Sequence, residues 1–443
     1  MSKLFVKANF RWVVLISCIL VYCTSTLVRW NYTAITKYLS ADLAIGKPEL
    51  GLLGAAFFYA YALAQAPVGT AADILGGRRV IPLGTGIMGL FLIGFAMSGS
   101  FTETLIWRVL MGIVAAAGWV PISAVLAKWF SSKERGLAME LITGIGGGLG
   151  EVISFLLIPF IALIVTNVSF FGGLATWRSS TIMMGIVVIA VALSSYFMIR
   201  SSPADMGLPE VDGAGKKKVK YSSHIKGVLK DPALWLLSLV WSGYIISSRL
   251  ILGWIAVFAA EFYIHAQGMT KEKAMVVGGA LATTFVIGRV VSAPVVGKLS
   301  DYFLNKFGTP RSVILLAGLI LLTLTFYTFS AIEPSETWLA VLAFCSGAFI
   351  NIYALVNVAA SEIWSAETAG FSTGLINTIG QFAGAAALTA SGFMAMKFAV
   401  KGGAYYTEYY GIWYLGIIIC VLASLAGIYV VYREKKAVRE VSD

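Results

Sequence analysis

The chain has 443 residues, of which 58% are hydrophobic and only 12% carry a charge. Soluble domains contain about 25% charged residues, so this composition excludes an ordinary soluble domain and a disordered chain. The formal net charge of +11 suits either a nucleic acid or a membrane as partner, and the placement of the basic residues decides between them.

Twelve apolar runs follow one another along the chain, and each is long enough to cross a hydrocarbon core, which takes about 20 helical residues. An even number of spans puts both termini on one side, and most Lys and Arg residues lie in the loops on that side. By the positive-inside rule this side is cytoplasmic, so topology in a lipid bilayer accounts for the charge and no nucleic-acid partner is expected. The sequence therefore predicts an all-α integral membrane protein with spans near residues 12–36, 49–72, 80–98, 104–127, 137–164, 176–199, 232–263, 272–299, 312–331, 338–361, 370–396 and 410–432.

The two halves of this predicted bundle are similar in sequence. Residues 136–150, which open span five, agree with residues 370–384, which open span eleven, at six of fifteen positions. Repeats of this size are typical of secondary transporters, whose substrate site lies near the membrane midplane between the repeats. The predicted organisation is an N-terminal six-helix bundle at 1–199, a basic cytoplasmic linker at 200–231 and a C-terminal six-helix bundle with a short cytoplasmic tail at 232–443.

A short loop motif follows span two, with glycines that allow close helix approach and with Asp73, Arg78 and Arg79. A degenerate copy after span eight contains Asp301. At this place in a twelve-span chain the motif resembles the signature loop of the major facilitator superfamily, and Arg108 in span four resembles that superfamily's second motif. The resemblance implies two pseudo-symmetric six-helix bundles and a gating role for these five residues.

Arg29 in span one and Arg249 in span seven are charged residues within apolar segments. Each is about sixteen residues from the cytoplasmic end of its span, which predicts a position near the bilayer centre. A charge there costs about 2.5–3.5 kcal/mol on insertion scales, so each guanidinium requires a protein partner or an aqueous cavity. Two arginine forks facing one cavity would suit a phosphate or a carboxylate. The alternative is two structural ion pairs, for which the spans offer few midplane carboxylates.

Several stretches resemble the glycerol-3-phosphate and sugar-phosphate antiporters and the related organic-anion symporters of the superfamily. The similarity covers the surroundings of Arg29 and Arg249 and the residues 128–136, 146–148 and 203–209. In the antiporters the arginines of spans one and seven bind the substrate phosphate, so the resemblance implies that Arg29 and Arg249 form an anion clamp. It also places Tyr22 and Tyr61 among the tyrosines that line the cavity.

Two positions depart from the pattern of these antiporters. Gln65 stands where the family has a lysine in span two, and Thr143 stands where it has a histidine in span five. Both changes remove positive charge from the expected phosphate site. They count against exchange for phosphate and favour a monocarboxylate or another singly charged anion, with Gln65 still expected to lie in the site.

Glu151 lies deep in span five, where the antiporters have no acid. Because a buried carboxylate can take up and release a proton, one interpretation is proton coupling, and the other is static pairing with Arg29 or Arg289. Arg289, deep in span eight, is also interpreted as part of an ion pair at the cytoplasmic gate. Asn377 and Gln381, in the repeated stretch of span eleven, are candidates for the cavity wall.

These observations predict a monomeric carrier that moves a small organic anion across a bacterial inner membrane by alternating access. The coupled ion is a proton or phosphate, which leaves phosphate-ester antiport and proton-coupled symport through Glu151 as alternatives. A membrane sensor that binds a metabolite and signals through a partner is a third, from another functional class. No enzymatic activity, cofactor or metal site is predicted, since two histidines far apart in the sequence do not make a metal site.

Overall fold

The computed structural model of the protein describes residues 2–165, 176–209, 227–364, 366–398 and 404–442. Within these ranges the chain is helical and contains no β-strand. Twelve of the described helical segments are long and apolar enough to cross a membrane, which confirms the predicted all-α membrane fold. They are Asn9–Ala34, Lys47–Ala72, Gly77–Met97, Phe101–Trp129, Leu137–Ile164, Trp177–Met198, Pro232–Gln267, Lys271–Phe307, Arg311–Ala331, Glu336–Ala360, Ser372–Phe398 and Tyr405–Glu434.

The first half of the chain begins with a long helix that ends in a tight turn and continues as a short one. Apolar residues dominate its later helices, and serine caps the start of one of them, where the side chain of Ser100 accepts from the N–H of Glu103. The helices are α1 (Ser2–Ala34), α2 (Thr36–Leu43), α3 (Lys47–Leu75), α4 (Gly77–Met97), α5 (Phe101–Trp129), α6 (Ser132–Glu140), α7 (Gly148–Val152), α8 (Ile158–Val165) and α9 (Thr176–Met198).

Span five is built differently from the other spans. Two π-helical stretches, Leu141–Gly147 and Ile153–Leu157, connect α6, α7 and α8 into one continuous helix. A π turn is a rare variant of the helix that frequently lies at a functional site. Glu151 lies in α7, between the two π-helical stretches.

The second half of the chain has longer helices. Asp231 caps the first of them by accepting from the N–H of Ala233, and Pro232 occupies the first helical position, where its missing N–H costs nothing. The helices are α10 (Pro232–Gln267), α11 (Lys271–Phe307), α12 (Arg311–Ala331), α13 (Glu336–Ile350), α14 (Leu355–Ile363), α15 (Ala366–Phe398) and α16 (Tyr410–Ser442).

The chain divides into two compact units, and each of two helices contributes to both. The first residues of α3 belong to the second unit, and the first residues of α11 belong to the first unit. The bundle boundaries at 199 and 232 remain a prediction, and the lysine cluster at 216–220 lies outside the described residues. The first unit contains Met1–Ile45, Ala56–Lys217 and Lys271–Gly279, and the second contains Gly46–Ala55, Lys218–Thr270 and Ala280–Asp443.

Close helix packing in the first unit depends on glycine. A Cβ atom added at Gly112 of α5 would lie 2.3 Å from the carbonyl oxygen of Phe57 in α3. One added at Gly150 of α7 would lie 2.3 Å from the carbonyl oxygen of Cys23 in α1. Such distances leave no room for a larger residue, as is typical where small residues let membrane helices approach each other. The second contact holds α7, and with it Glu151, against α1.

The first turns of α3 pack against α15 within the second unit. The Nζ atom of Lys47 forms a salt bridge with Glu408 and lies 4.3 Å from the centroid of the Tyr409 ring. A Cβ atom added at Gly51 would lie 2.6 Å from the carbonyl oxygen of Leu388 in α15. An ion pair and a close backbone contact thus hold this end of α3 in place.

A buried phenol lies in the short helix α2 of the first unit. The Nζ atom of Lys271 is 5.4 Å from the centroid of the Tyr38 ring. Burial raises the pKa of Tyr38, and the nearby carboxylate of Glu272 raises it further. The phenol therefore stays neutral across the physiological pH range, so the cation of Lys271 meets an aromatic ring and not a phenolate.

Candidate functional site

Arg29 is half-buried in α1, and an aromatic ring faces its charge. Its guanidinium carbon lies 5.3 Å from the centroid of the Tyr61 ring, whose electron-rich face stabilises a cation. Among the described residues no carboxylate forms a salt bridge with Arg29, and its buried Nε atom has no hydrogen-bond partner. The described surroundings of the Arg29 charge therefore include an aromatic ring but no carboxylate that forms a salt bridge with it.

Arg29 and Arg249 lie at different places in their helices. Arg29 lies little more than one helical turn before the end of α1 at Ala34, and its position near the bilayer centre stays a prediction. The chain turns at Ile35 and continues as α2, and the first membrane-spanning segment, Asn9–Ala34, overlaps the predicted range of 12–36. Arg249 lies at the middle of α10, as its spacing predicts.

Arg108 is fully buried in α5 and reaches the backbone beside Arg29. Its Nη1 atom donates to the carbonyl oxygen of Val28 and its Nη2 atom to the carbonyl oxygen of Arg29, both across 3.4 Å. Its guanidinium carbon lies 4.5 Å from the ring centroid of Tyr32 and 4.8 Å from that of Phe57. Arg108 thus fixes the part of α1 that carries Arg29, and its predicted gating role stays a prediction.

Tyr22 and Gln65, two further predicted site residues of the first unit, are half-buried. The Tyr22 ring lies with its centroid 5.5 Å from that of Trp119. A Cβ atom added at Gly147 would lie 3.3 Å from Tyr22 Cε1, so the glycine run of span five makes room for this ring. The described contacts of Arg29 bring it together with Tyr61 but not with Tyr22 or Gln65.

Glu151, the predicted proton carrier, is only 5% exposed. It follows Gly150, whose close contact with Cys23 presses α7 against α1. The described salt bridges include none between Glu151 and Arg29. The carboxylate is therefore buried in the same unit as Arg29, and both interpretations of its role, proton coupling and static pairing, stay predictions.

Arg249 of α10 is 7% exposed and lies beside the two amides that the sequence predicts for the site. Its Nη2 atom donates to Oε1 of Gln381 in α15 across 2.9 Å. The Nε2 atom of Gln381 in turn donates to Oδ1 of Asn377 across 3.4 Å. A Cβ atom added at Gly384 would lie 3.1 Å from Arg249 Cγ, so this glycine leaves space for the arginine. We refer to Arg249, Gln381 and Asn377 as the polar row.

Trp241 is a neighbour of the polar row that the sequence analysis missed. The residue is 6% exposed, and its Nε1 atom is buried with no hydrogen-bond partner among the described residues. Its ring centroid lies 5.3 Å from that of Tyr353 at an angle of 67°. Eight residues separate Trp241 from Arg249, which puts both within about 80° on one face of α10. That spacing could have identified Trp241, but a search based on charge does not detect it.

Two predicted gating residues of the first unit, Arg78 and Arg79, lie at the start of α4. The backbone N–H of Arg78 donates to Ser201 Oγ across 3.1 Å, and its guanidinium carbon lies 5.7 Å from the Tyr196 ring centroid. Arg79 is exposed. Asp73 lies in the last turns of α3, and its side chain is outside the described part of the chain.

In the second unit the corresponding loop contains an ion pair. The Nη1 atom of Arg311 lies 2.9 Å from Oδ1 of Asp301 and donates to Ser300 Oγ across 2.9 Å. Arg289 is half-buried in α11, where its backbone N would lie 3.0 Å from a Cβ atom at Gly347 of α13. Asp301 and Arg311 are therefore brought together, whereas Arg289 lies elsewhere on α11.

Glu434 is a buried charged residue that the sequence analysis also missed. Its two carboxylate oxygens accept from the backbone N–H groups of Arg311, at 2.8 Å, and Ser312, at 2.9 Å. A carboxylate at a helix N-terminus satisfies free N–H groups and complements the helix dipole. The neighbouring Arg433 forms an ion pair with Asp231 at 3.0 Å. In the sequence this segment is part of a basic tail, so neither the capping by Glu434 nor the ion pair of Arg433 can be predicted from it.

Twelve apolar spans, with an arginine within each of spans one, four and seven, are typical of polytopic membrane carriers. The sequence profile described as "Major Facilitator Superfamily" matches residues 18–388 and 273–443. The chain therefore belongs to the Major Facilitator Superfamily, a family of transporters rather than enzymes. This confirms the resemblance found in the loop motif and in span four.

Several relatives are similar to this chain over most of their length. A probable hexose phosphate transport protein of Chlamydia pneumoniae is 25% identical over 80% of this chain and 78% of its own. The glycerol-3-phosphate transporter of Bacillus subtilis is 24% identical over 86% and 85%. The membrane sensor protein UhpC of Salmonella typhimurium is 25% identical over 82% and 80%. These matches confirm the predicted resemblance to the sugar-phosphate branch of the superfamily.

A solved structure shows the same fold. A bacterial homologue of the human lysosomal transporter Spinster, in an inward-facing and unoccupied conformation, aligns with a TM-score of 0.75 and 19% identity. The alignment covers 97% of this chain and 98% of that one. At this level of identity the likeness establishes the architecture and carries no statement about the substrate.

Proposed function

We propose that the protein is a secondary transporter that moves a small organic anion, a phosphate ester in the first place, by alternating access. The observation that carries the proposal is the state of Arg29. Its guanidinium is half-buried in an apolar helix, faces the Tyr61 ring, and forms no salt bridge with a described carboxylate. A charge in a membrane span requires a compensating group, and a bound anion would supply it.

Arg249 would supply the second guanidinium of the clamp. It donates a hydrogen bond to the neutral amide of Gln381, which orients the side chain. A planar guanidinium with several N–H donors suits the oxygens of a phosphate better than a lysine does. Tyr22, Tyr61, Gln65, Asn377 and Gln381 would complete the binding site.

The relatives support a phosphorylated substrate. Two of them are named for the transport of hexose phosphate and of glycerol 3-phosphate. Gln65 and Thr143 replace a lysine and a histidine of the antiporter pattern, which lowers the positive charge of the site and counts against exchange for free phosphate. Transport of a sugar acid or another carboxylate would use the same two arginines.

The test is exchange by purified protein in liposomes loaded with phosphate, with labelled glycerol 3-phosphate or glucose 6-phosphate outside. Uptake by the unaltered chain, lost in Arg29→Gln and Arg249→Gln, is the expected result. Arg178→Gln is the matched control, because that guanidinium is already bound by Asp42 at 2.7 Å and by the carbonyl oxygen of Ser98. If the protein binds only neutral solutes, and Arg29→Gln and Arg249→Gln bind them equally well, the anion site is rejected.

Proton-coupled symport is the second candidate, and the burial of Glu151 in the first unit favours it. Glu151→Gln keeps the shape of the side chain and removes its ability to exchange a proton. Under symport, uptake driven by a pH gradient should fail in this variant. Under antiport, substrate exchange at equal pH on both sides should continue.

A membrane sensor is the third candidate, and one relative with that name supports it. A sensor would bind the anion without moving it at an appreciable rate. The same liposomes separate the two cases, because a sensor gives ligand-dependent thermal stabilisation with no ligand-dependent flux.

The remaining expectations concern gating and placement in the cell. We propose that the chain lies in a bacterial inner membrane as a monomer with cytoplasmic termini, which the loop charges support. Labelling of single cysteines in intact cells and in inverted vesicles tests the orientation, and light scattering of the detergent-solubilised protein tests the oligomeric state. The gating network would contain Asp73, Arg78, Arg79, Arg108, Asp301 and Arg289.

A further inference from the structure

We propose that Trp241 is a specificity-determining residue, whose Nε1–H donates to an oxygen of the organic part of the transported anion. This inference rests on the proposed function, since it assumes that Arg249 binds the anionic group. It adds to the proposed site a residue that would distinguish a phosphate ester with hydroxyl groups from inorganic phosphate.

The first support is an unused hydrogen-bond donor. The Nε1 atom of Trp241 is buried and has no acceptor among the described residues, and the residue as a whole is only 6% exposed. Leaving a buried N–H without a partner costs about 1–3 kcal/mol. Tryptophans in such surroundings usually find an acceptor, so a ligand or water oxygen is expected at this atom.

The second support is the direction in which the indole lies. A Cβ atom added at Gly380 would lie 2.2 Å from Trp241 Cδ1 and 2.5 Å from its Nε1. The N–H edge therefore rests on the bare backbone of α15 at Gly380. Asn377, Gly380, Gln381 and Gly384 fall within about 100° on one face of a helix, so the indole nitrogen lies on the face that carries the polar row.

The third support is that two glycines of α15 each leave space for a side chain of α10. Gly380 leaves space for Trp241, and Gly384 leaves space for Arg249. Along α10 the two residues are about 12 Å apart, and the length of both side chains reduces the gap. An anion held by Arg249 would need an organic extension to reach Trp241, and inorganic phosphate has none.

A comparison within the chain separates this role from that of an ordinary buried tryptophan. Trp413 of α16 also has a buried Nε1 without a described acceptor. Its ring packs among Phe258, Phe326 and Phe329, with centroid distances of 5.5, 6.2 and 4.7 Å. Phenyl rings offer no strong acceptor and no polar ligand surface, so Trp413 is the matched control.

The experiment measures the affinity of the purified protein for inorganic phosphate, glycerol 3-phosphate and glucose 6-phosphate, from ligand-dependent thermal stabilisation. In Trp241→Phe we expect the affinity for the two esters to fall roughly fivefold, which corresponds to one neutral hydrogen bond, with no change for inorganic phosphate. Trp241→His keeps a ring N–H and should recover part of the loss. Trp413→Phe should leave the affinity for the esters and for inorganic phosphate unchanged.

A second variant tests the seat of the indole. Gly380→Ala places a methyl group where the Trp241 ring now lies, so it should reproduce the ester-selective loss. Equal losses for esters and phosphate, or no loss for either, would overturn the inference while the proposed function stands. Unfolding of every Trp241 variant would also overturn it, since the residue would then be structural. Failure of the unaltered protein to bind any of the three anions would instead reject the proposed function, and the inference with it.

Discussion

The Nη2 atom of Arg108 donates to the backbone carbonyl oxygen of Arg29 across 3.4 Å. An arginine of span four thus supports the backbone of the residue proposed to bind the anion. Two aromatic rings, those of Tyr32 and Phe57, face the same guanidinium and stabilise it away from water. Arg108 is therefore a positioning residue for Arg29 in addition to its predicted gating role.

Replacement of Arg108 should lower both stability and anion affinity. Arg108→Gln loses contacts with two rings and two carbonyl groups, and we expect the free energy of unfolding to fall by about 1–3 kcal/mol. Arg108→Lys keeps the positive charge but not the planar guanidinium, so its stability should lie between that of Arg108→Gln and that of the unaltered protein. Thermal unfolding with and without ligand provides both quantities. Reduced stability with unchanged ligand affinity would show that Arg108 does not position Arg29.

Gln381→Glu should block anion binding without unfolding the protein. The new carboxylate would lie beside Arg249 Nη2, now 2.9 Å from the amide oxygen, and would form a charge-assisted hydrogen bond. It would then compete with the substrate, and we expect affinity to fall about tenfold or more. Gln381→Met removes the hydrogen bond without adding charge and should have the smaller effect. Equal anion affinities in Gln381→Glu and Gln381→Met would show that Arg249 does not bind the anion.

The ion pair of Lys47 and Glu408 should contribute to the attachment of α3 in the second unit. Both side chains are partly exposed, so we expect a coupling free energy of about 0.5–1 kcal/mol. Lys47→Glu and Glu408→Lys should each lower the melting temperature, and the double variant should recover most of the loss. A double variant as unstable as the sum of its parts would show that the pair has no energetic role.

Glu434 should stabilise the start of α12. Glu434→Ala removes the acceptor of two backbone N–H groups, one buried and one partly buried, and we expect the free energy of unfolding to fall by about 2 kcal/mol. Glu434→Gln keeps one acceptor and loses the favourable interaction of a negative charge with the helix dipole, so its loss should be smaller. Calorimetry of the detergent-solubilised protein measures both. Unchanged stability in Glu434→Ala would rule out the capping role.

The sequence predicts the spans, the family and the polar row because each has a signal along the chain. Apolar length identifies the spans, and the repeat between residues 136–150 and 370–384 points to Asn377 and Gln381. The structure brings Gln381 and Arg249 together through a hydrogen bond, and their role in substrate binding stays a prediction. The anion clamp of Arg29 and Arg249 stays a prediction.

What the sequence does not reveal depends on packing between distant segments. Trp241 is one of twelve tryptophans and is distinguished only by its seat on Gly380 and its unused donor. Glu434 lies in a basic tail, and its role depends on the helix start that meets it. The end of α1 at Ala34, shortly after Arg29, is likewise not marked by the run of apolar residues.

The π-helical stretch Leu141–Gly147 alters how spans of related chains correspond. Thr143 lies inside it, whereas the matching repeat in span eleven belongs to the regular helix α15. A wider turn takes up one extra residue, and one residue rotates an α-helix by about 100°. A gap-free alignment with a chain whose span five is α-helical throughout therefore pairs side chains that point in different directions beyond this stretch. The counterpart of Glu151 in such a chain is to be sought one position away from the aligned residue.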